Sequence, residues 1–133
     1  PGKAITFGLL GGKPYLGLSG NPAAAYVGFE MLARPAIRKM RGFAEGARPV
    51  QQAILTHGVK KRQDRRFFDR ATVSRDPETG ELLVTEAKTQ NSALLGTMQR
   101  ANCLLRIDEG PCELKAGDVV DVVRVDLPEG TVL

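Results

Sequence analysis

Gly17-Leu18-Ser19-Gly20-Asn21-Pro22 lies between Lys13-Pro14-Tyr15-Leu16 and the alanine-rich stretch Ala23-Ala24-Ala25-Tyr26-Val27-Gly28-Phe29-Glu30-Met31-Leu32. An apolar extended run that breaks on glycines and resumes through Asn-Pro predicts strand, loop and helix in that order. Asn21 suits the N-cap, and Pro22 suits the first helical position, where a missing N–H is no loss. The free N–H groups and the dipole of such a helix mouth favour an oxyanion, which makes Gly20, Asn21 and Pro22 candidate binding residues. The same strand–loop–helix also serves ordinary α/β packing.

Upstream, residues 5–10 and 14–18 read as two short strands around Gly11-Gly12, a dipeptide favoured in two-residue hairpins. Downstream, the helix runs over 22–40, with Pro35 expected to kink or split it. Gly42 is the expected stop after Arg38, Lys39 and Arg41, whose charges suit a helix C-terminus and read as a solvated face. Residues 42–49 read as a linker.

Beyond the linker the pattern changes to short runs rich in Val, Leu, Thr and Phe. Strands are expected over 50–56, 68–74, 82–87, 103–107 and 119–125. Asp76-Pro77-Glu78-Thr79-Gly80 is a turn between the second and third, and residues 92–99 form a short helix capped by Ser92. The fold class is therefore α+β, a strand–loop–helix piece over residues 1–45 followed by a small all-β domain over 46–133, bent or closed part-way into a barrel. The first piece is too small to form an independent domain, and its apolar face requires a partner surface.

The chain has 133 residues and a net charge of +4. Its hydrophobic share of 42% is ordinary for a soluble globular protein; no secretory h-region opens the chain, so a cytoplasmic location is expected. It contains no run of the roughly 20 apolar residues that a membrane span requires. Cys103 and Cys112 are expected to be free thiols, and with the single His57 they lack the ligand spacing of a zinc motif. Charge is unevenly spread. Twelve Lys/Arg face three acids between Arg34 and Arg75, whereas eleven acids face five bases from Asp76 onward. A basic middle beside an acidic end suits an anionic ligand or a self-complementary dimer. Nucleic acid is not expected, because no recognised motif or base-stacking series of aromatics accompanies the patch. No nucleophile–base–acid set and no paired carboxylates are visible, and His57 reads as structural. What the chain does offer is a set of cations and donors suited to oxyanions.

Several of these segments fall in the order of one family. Pro1-Gly2-Lys3, Phe7-Gly8, Gly17 to Pro22, and Phe29-Glu30 with Arg34-Pro35-Ala36 resemble the molybdopterin molybdenumtransferases, MoeA in bacteria and the E domain of gephyrin in eukaryotes. Arg65-Arg66-Phe67-Phe68-Asp69-Arg70-Ala71 is similar to the family's Arg-Pro-Glu-Phe-His-Arg-Ala, and Gln90-Asn91-Ser92, Arg100-Ala101-Asn102, Glu109-Gly110 and Lys115-Ala116-Gly117-Asp118 match its C-terminal signature. The chain departs from the family loop at Ser19, where a proline is usual, and at Ala23-Ala24 in place of Val-Ser.

The resemblance implies that this is only the C-terminal part of such an enzyme: the end of its molybdopterin-binding α/β domain and its terminal β-clip domain. It implies transfer of molybdenum from molybdate to adenylylated molybdopterin with release of AMP. It also implies a homodimer, and magnesium held by acids upstream of this chain. It places Lys3, Arg65 and Ser92 around molybdate and Gly20-Asn21-Pro22 at the pterin-phosphate pocket; Arg70, which with Arg65 flanks Phe67-Phe68, is a further candidate. The part alone is expected to be inactive. A second function class is scaffolding, with the β domain holding a peptide, as in gephyrin.

Overall fold

A computed structural model describes residues 5–91 and 96–133, so Lys3, Ser92 and the first half of the helix expected over 92–99 lie outside the described residues. The chain divides into two compact units, with the boundary between Arg48 and Pro49 and with Asn91 grouped with the first.

In the first unit, β1 (Thr6–Leu10) and β2 (Lys13–Gly17) form an antiparallel hairpin closed by Gly11 and Gly12 at φ 57° and 77°. Positive φ at both central residues matches the right-handed twist of the strands, and glycine adopts it without steric cost. The loop leads into α1 (Pro22–Gly28), a π-helical turn over Phe29–Ala33, and α2 (Arg34–Met40). Pro35 thus divides the helix as expected. It sits in the first turn of α2, where no donor is required, and the π-turn before it lets the Arg34 N–H reach back to the Phe29 carbonyl. Gly42, at φ 84°, ends α2 with Phe43 N–H donating to the Arg38 carbonyl at 3.1 Å.

The segment read as a linker is packed against this helix rather than free. Arg48 grips the buried Glu30 with two bonds, Nε to Oε2 at 2.8 Å and Nη2 to Oε1 at 3.2 Å. Arg38, expected on a solvated face, is buried instead. Its Nε donates to the Glu45 carbonyl at 3.0 Å, and its guanidinium stacks 4.2 Å from the Phe43 ring centre. A planar, weakly hydrated guanidinium tolerates this burial better than an ammonium would. Phe7, Leu9 and Leu10 on the hairpin stay more than two-thirds exposed.

The second unit is a closed barrel of β3 (Val50–Leu55), β5 (Phe67–Arg75), β6 (Leu82–Glu86), β7 (Cys103–Ile107) and β9 (Val119–Arg124), in the spatial order β3-β6-β5-β7-β9. All pairings are antiparallel except β3 with β6. Full closure replaces the partial barrel expected, and it leaves no exposed sheet edge in the ring. Ala53, Leu55, Ala71, Val73, Val84, Cys103, Leu105, Ile107, Val120 and Val122 are among the residues that fill the interior. Two short strands not anticipated, β4 (Val59–Lys61) and β8 (Cys112–Leu114), pair with each other. A single helical turn, α3 (Gly96–Arg100), precedes β7.

Two amide side chains complete the ladder where β5 outruns its partners. On one side Asn102 accepts from Val73 N–H at 2.8 Å and donates to its carbonyl at 2.9 Å. On the other Gln90 accepts from Arg70 N–H and donates to its carbonyl, both at 2.9 Å. A primary amide presents the donor and acceptor of a peptide group, so each replaces a missing strand residue.

Candidate functional site

The 62–66 loop joins β4 to β5 and carries exposed Arg65. It lies against the 108–111 turn between β7 and β8. Gly110 N–H donates to the Asp64 carbonyl at 2.7 Å, and Arg66 lies 3.8 Å from Asp108 and 3.6 Å from Glu109. Arg66 is thereby partly neutralised. Arg65 makes no ion pair among the described residues, so its planar fork of donors is available to a tetrahedral dianion.

Lys61 ends β4 and is only 3% exposed. Its ammonium donates to the Arg65 carbonyl at 2.5 Å and also to the Asp108 carbonyl, and it sits 5.3 Å from the Phe67 ring centre. Asp69 lies nearby on β5, buried, with its carboxyl raised by burial and hydrogen-bonded to Glu86 on β6, while the Lys61 charge partly offsets the rise. Burial, with help from Asp69, pushes Glu86 up to about 7. The two carboxyls therefore share a proton at neutral pH. His57 Nε2 accepts from the Glu86 N–H at 3.0 Å while Nδ1 donates to the Gly58 carbonyl, a structural role as anticipated.

This pair dictates a pH dependence. The folded Glu86 holds its proton more tightly than the unfolded one, so its contribution is complete below about pH 4.5 and disappears as pH rises to about 7. Glu86→Gln should therefore flatten the fall in thermal midpoint between pH 5 and 8. After discounting for partial exposure, the difference amounts to about 1 kcal/mol, or roughly 4–8 °C. A thermal scan series across that range checks it, and parallel slopes for both proteins would refute it.

Arg70 shares β5 with Asp69 but is 3% exposed, and Nη1 lies 3.8 Å from the Met98 sulfur of α3. Burial lowers its pKa, and Asp69 opposes that shift. The second unit thus presents Arg65 on a loop and encloses Arg70 within its wall.

In the first unit, Asn21 occupies the N-cap position at φ −75°, ψ 120°, yet its side chain makes no capping bond. Its Oδ1 is buried without a hydrogen-bond partner among the described residues. Ser19 Oγ instead accepts from Asn21 N–H at 3.1 Å, a bond the proline usual in the family could not provide. Ala24, where the family carries a serine, packs into the core. A side chain at Gly20 would meet open space, so its backbone is open to approach.

The acidic half forms a cleft of about 390 Å³ lined by Gln52, Arg106, Asp108, Glu109, Cys112 and Asp121, among others. Arg106 is held there by Asp121 at 2.6 Å and Asp108 at 3.3 Å, so the cleft does not suit an anion. Cys103 and Cys112 are unpaired, and burial pushes the Cys103 thiol up to about 12, which makes it inert. No helix among the described residues is long and apolar enough to cross a membrane.

The barrel and its loop order have a counterpart. A family profile described as the MoeA C-terminal region (domain IV) matches residues 52–125. The chain belongs to the MoeA family.

Over 127 residues the chain is 35% identical to molybdopterin molybdenumtransferase 1 of Mycobacterium tuberculosis, covering 92% of this chain and 30% of the relative. Over 126 residues it is 31% identical to the molybdopterin molybdenumtransferase of Staphylococcus aureus, covering 95% of this chain and 30% of the relative. A solved structure of a molybdopterin biosynthesis MoeA protein from Pyrococcus horikoshii superposes with a TM-score of 0.76 at 27% identity, over 93% of this chain and 29% of that one. The chain spans about 30% of the length of the curated relatives it matches. Within the MoeA signature, Gln90 and Asn102 now have a structural role. Buried Lys61 and Asp69, with half-buried Glu86, form a polar group that motif reading did not reveal.

Proposed function

We propose that this chain is the C-terminal portion of a cytoplasmic molybdopterin molybdenumtransferase, with the first unit the end of its α/β domain and the barrel its terminal domain. In this reading the whole enzyme moves molybdenum from molybdate, its substrate, to the dithiolene of adenylylated molybdopterin and releases AMP, and the portion alone is inactive. The curated relatives carry the transferase name, so the scaffold reading is not taken further.

The observation that carries the proposal is Arg65: an exposed guanidinium, free of ion pairing among the described residues, on a braced loop of a MoeA barrel. It would bind molybdate through paired N–H donors and orient it by charge. Lys3 and Ser92 are the further oxyanion candidates that the resemblance names, and Arg70 stands buried in the barrel wall. The open backbone at Gly20, with Asn21 and Pro22, would shape the pterin-phosphate pocket. The orphaned Asn21 Oδ1 suits a donor such as a pterin N–H. Magnesium would supply charge neutralisation on phosphate. Among the described residues no group of His, Cys, Asp and Glu is placed to hold a metal, and no step here is routed through one. The exposed apolar hairpin and the uneven charge support a homodimer.

Isothermal titration of the longer protein with molybdate tests this. Arg65→Ala should weaken binding by about 10- to 100-fold, the loss of a charge-assisted hydrogen-bond pair. Equal affinities would remove Arg65 from the site.

A further inference from the structure

We propose that Lys61 is a positioning residue: its buried ammonium pins the 62–66 loop to the 108–111 turn and so fixes where Arg65 projects. The inference rests on Arg65 as the oxyanion contact proposed above.

Lys61 is an unusual place for a lysine. A buried ammonium is costly unless its donors are satisfied. Here they are used on main-chain carbonyls, those of Arg65 and Asp108, which lie on two different connections 43 residues apart in sequence. A salt bridge at this point would tie side chains, which can swing. Bonds to carbonyls tie the backbone itself, including the peptide group of the arginine in question. The Phe67 ring contact and the nearby Asp69 compensate the charge from β5, the strand into which the loop runs. The Gly110 to Asp64 bond and the Lys61 to Cys112 pairing of β4 with β8 brace the loop from either side. Lys61 thus hydrogen-bonds to the backbone of both connections, without itself being bonded to the exposed guanidinium.

The test uses Lys61→Met, which keeps the apolar stem and deletes the donors, in the longer protein. Trypsin cleavage after Arg62, Arg65 and Arg66 should accelerate by about tenfold while hydrogen exchange in β5 and β7 stays unchanged. Molybdate affinity should fall by about tenfold in the wild-type background and not at all in an Arg65→Ala background, because the residue acts only through Arg65. Unchanged cleavage, or losses that add to those of Arg65→Ala, would overturn the proposal. If Arg65→Ala alone leaves molybdate binding intact, the site reading fails, and the cleavage rates still decide whether Lys61 holds the loop.

Should Lys61→Met not fold, the wild-type protein decides. Reductive methylation followed by mass spectrometry should modify Lys61 at least about tenfold more slowly than its exposed neighbour Lys60, and equal rates would refute the pin.

Discussion

Glu30→Ala should destabilise the first unit by about 3–5 kcal/mol, because it deletes the carboxylate half of a bidentate pair whose two groups are both largely withdrawn from water. The effect is large relative to what holds this unit. Its buried apolar side chains are few and small, Ala23, Ala24 and Val27 among the described residues. Glu30 sits in the π-turn, and Arg48 is the last residue before the boundary at Pro49, so the pair fastens that end of the segment to the helix. Hydrogen exchange of the α1 and α2 amides measures the loss. A double replacement with apolar residues, Glu30→Leu with Arg48→Met, should recover much of it, since neither half of the ion pair is then left behind. Wild-type exchange in Glu30→Ala would show that the pair contributes nothing.

The second large effect belongs to the barrel. Asn102→Ala removes the side-chain amide that bonds both the N–H and the carbonyl of buried Val73. An unsatisfied buried N–H and carbonyl cost about 1–3 kcal/mol each, so the barrel should lose about 2–6 kcal/mol. Asn102→Asp is informative because it keeps an acceptor for Val73 N–H and loses the donor to the carbonyl. It should fall between the two. Urea unfolding of the three proteins checks the order, and an alanine variant within 0.5 kcal/mol of wild type would contradict the ladder role.

Much of this architecture was legible beforehand, for reasons that lie in particular residues. Gly11-Gly12 encodes a hairpin locally, and the 103–107 strand coincides with β7. Pro35 divides the helix where its missing donor requires. What escaped was long-range. β4 and β8 have three residues each, too few for a period, and each is paired only with the other, far away in sequence. The proton-sharing pair was nearer to hand. The hairpin that closes at Asp76 and Gly80 sets Arg75 opposite Leu82 and hence Ala71 opposite Glu86, which places Asp69 diagonally beside Glu86 on the same face. Counting register from the turn would have found it. The burial of Arg38 depends on the Phe43 ring and the Glu45 carbonyl beyond the helix end, which no helical periodicity encodes.

The site was legible in a different sense. Arg65 was identified by resemblance, and the barrel accounts physically for a residue of that kind at that point, exposed on a loop whose backbone is held from below by Lys61 and from the side by Gly110. The oxyanion role depends on what that guanidinium meets. Crystals of the longer protein soaked in molybdate and measured at the molybdenum absorption edge give the most direct answer. The account predicts an anomalous peak within about 4 Å of the Arg65 guanidinium, the range of a charge-assisted contact to an oxyanion. A peak bound elsewhere, with Arg65 facing solvent, would contradict it.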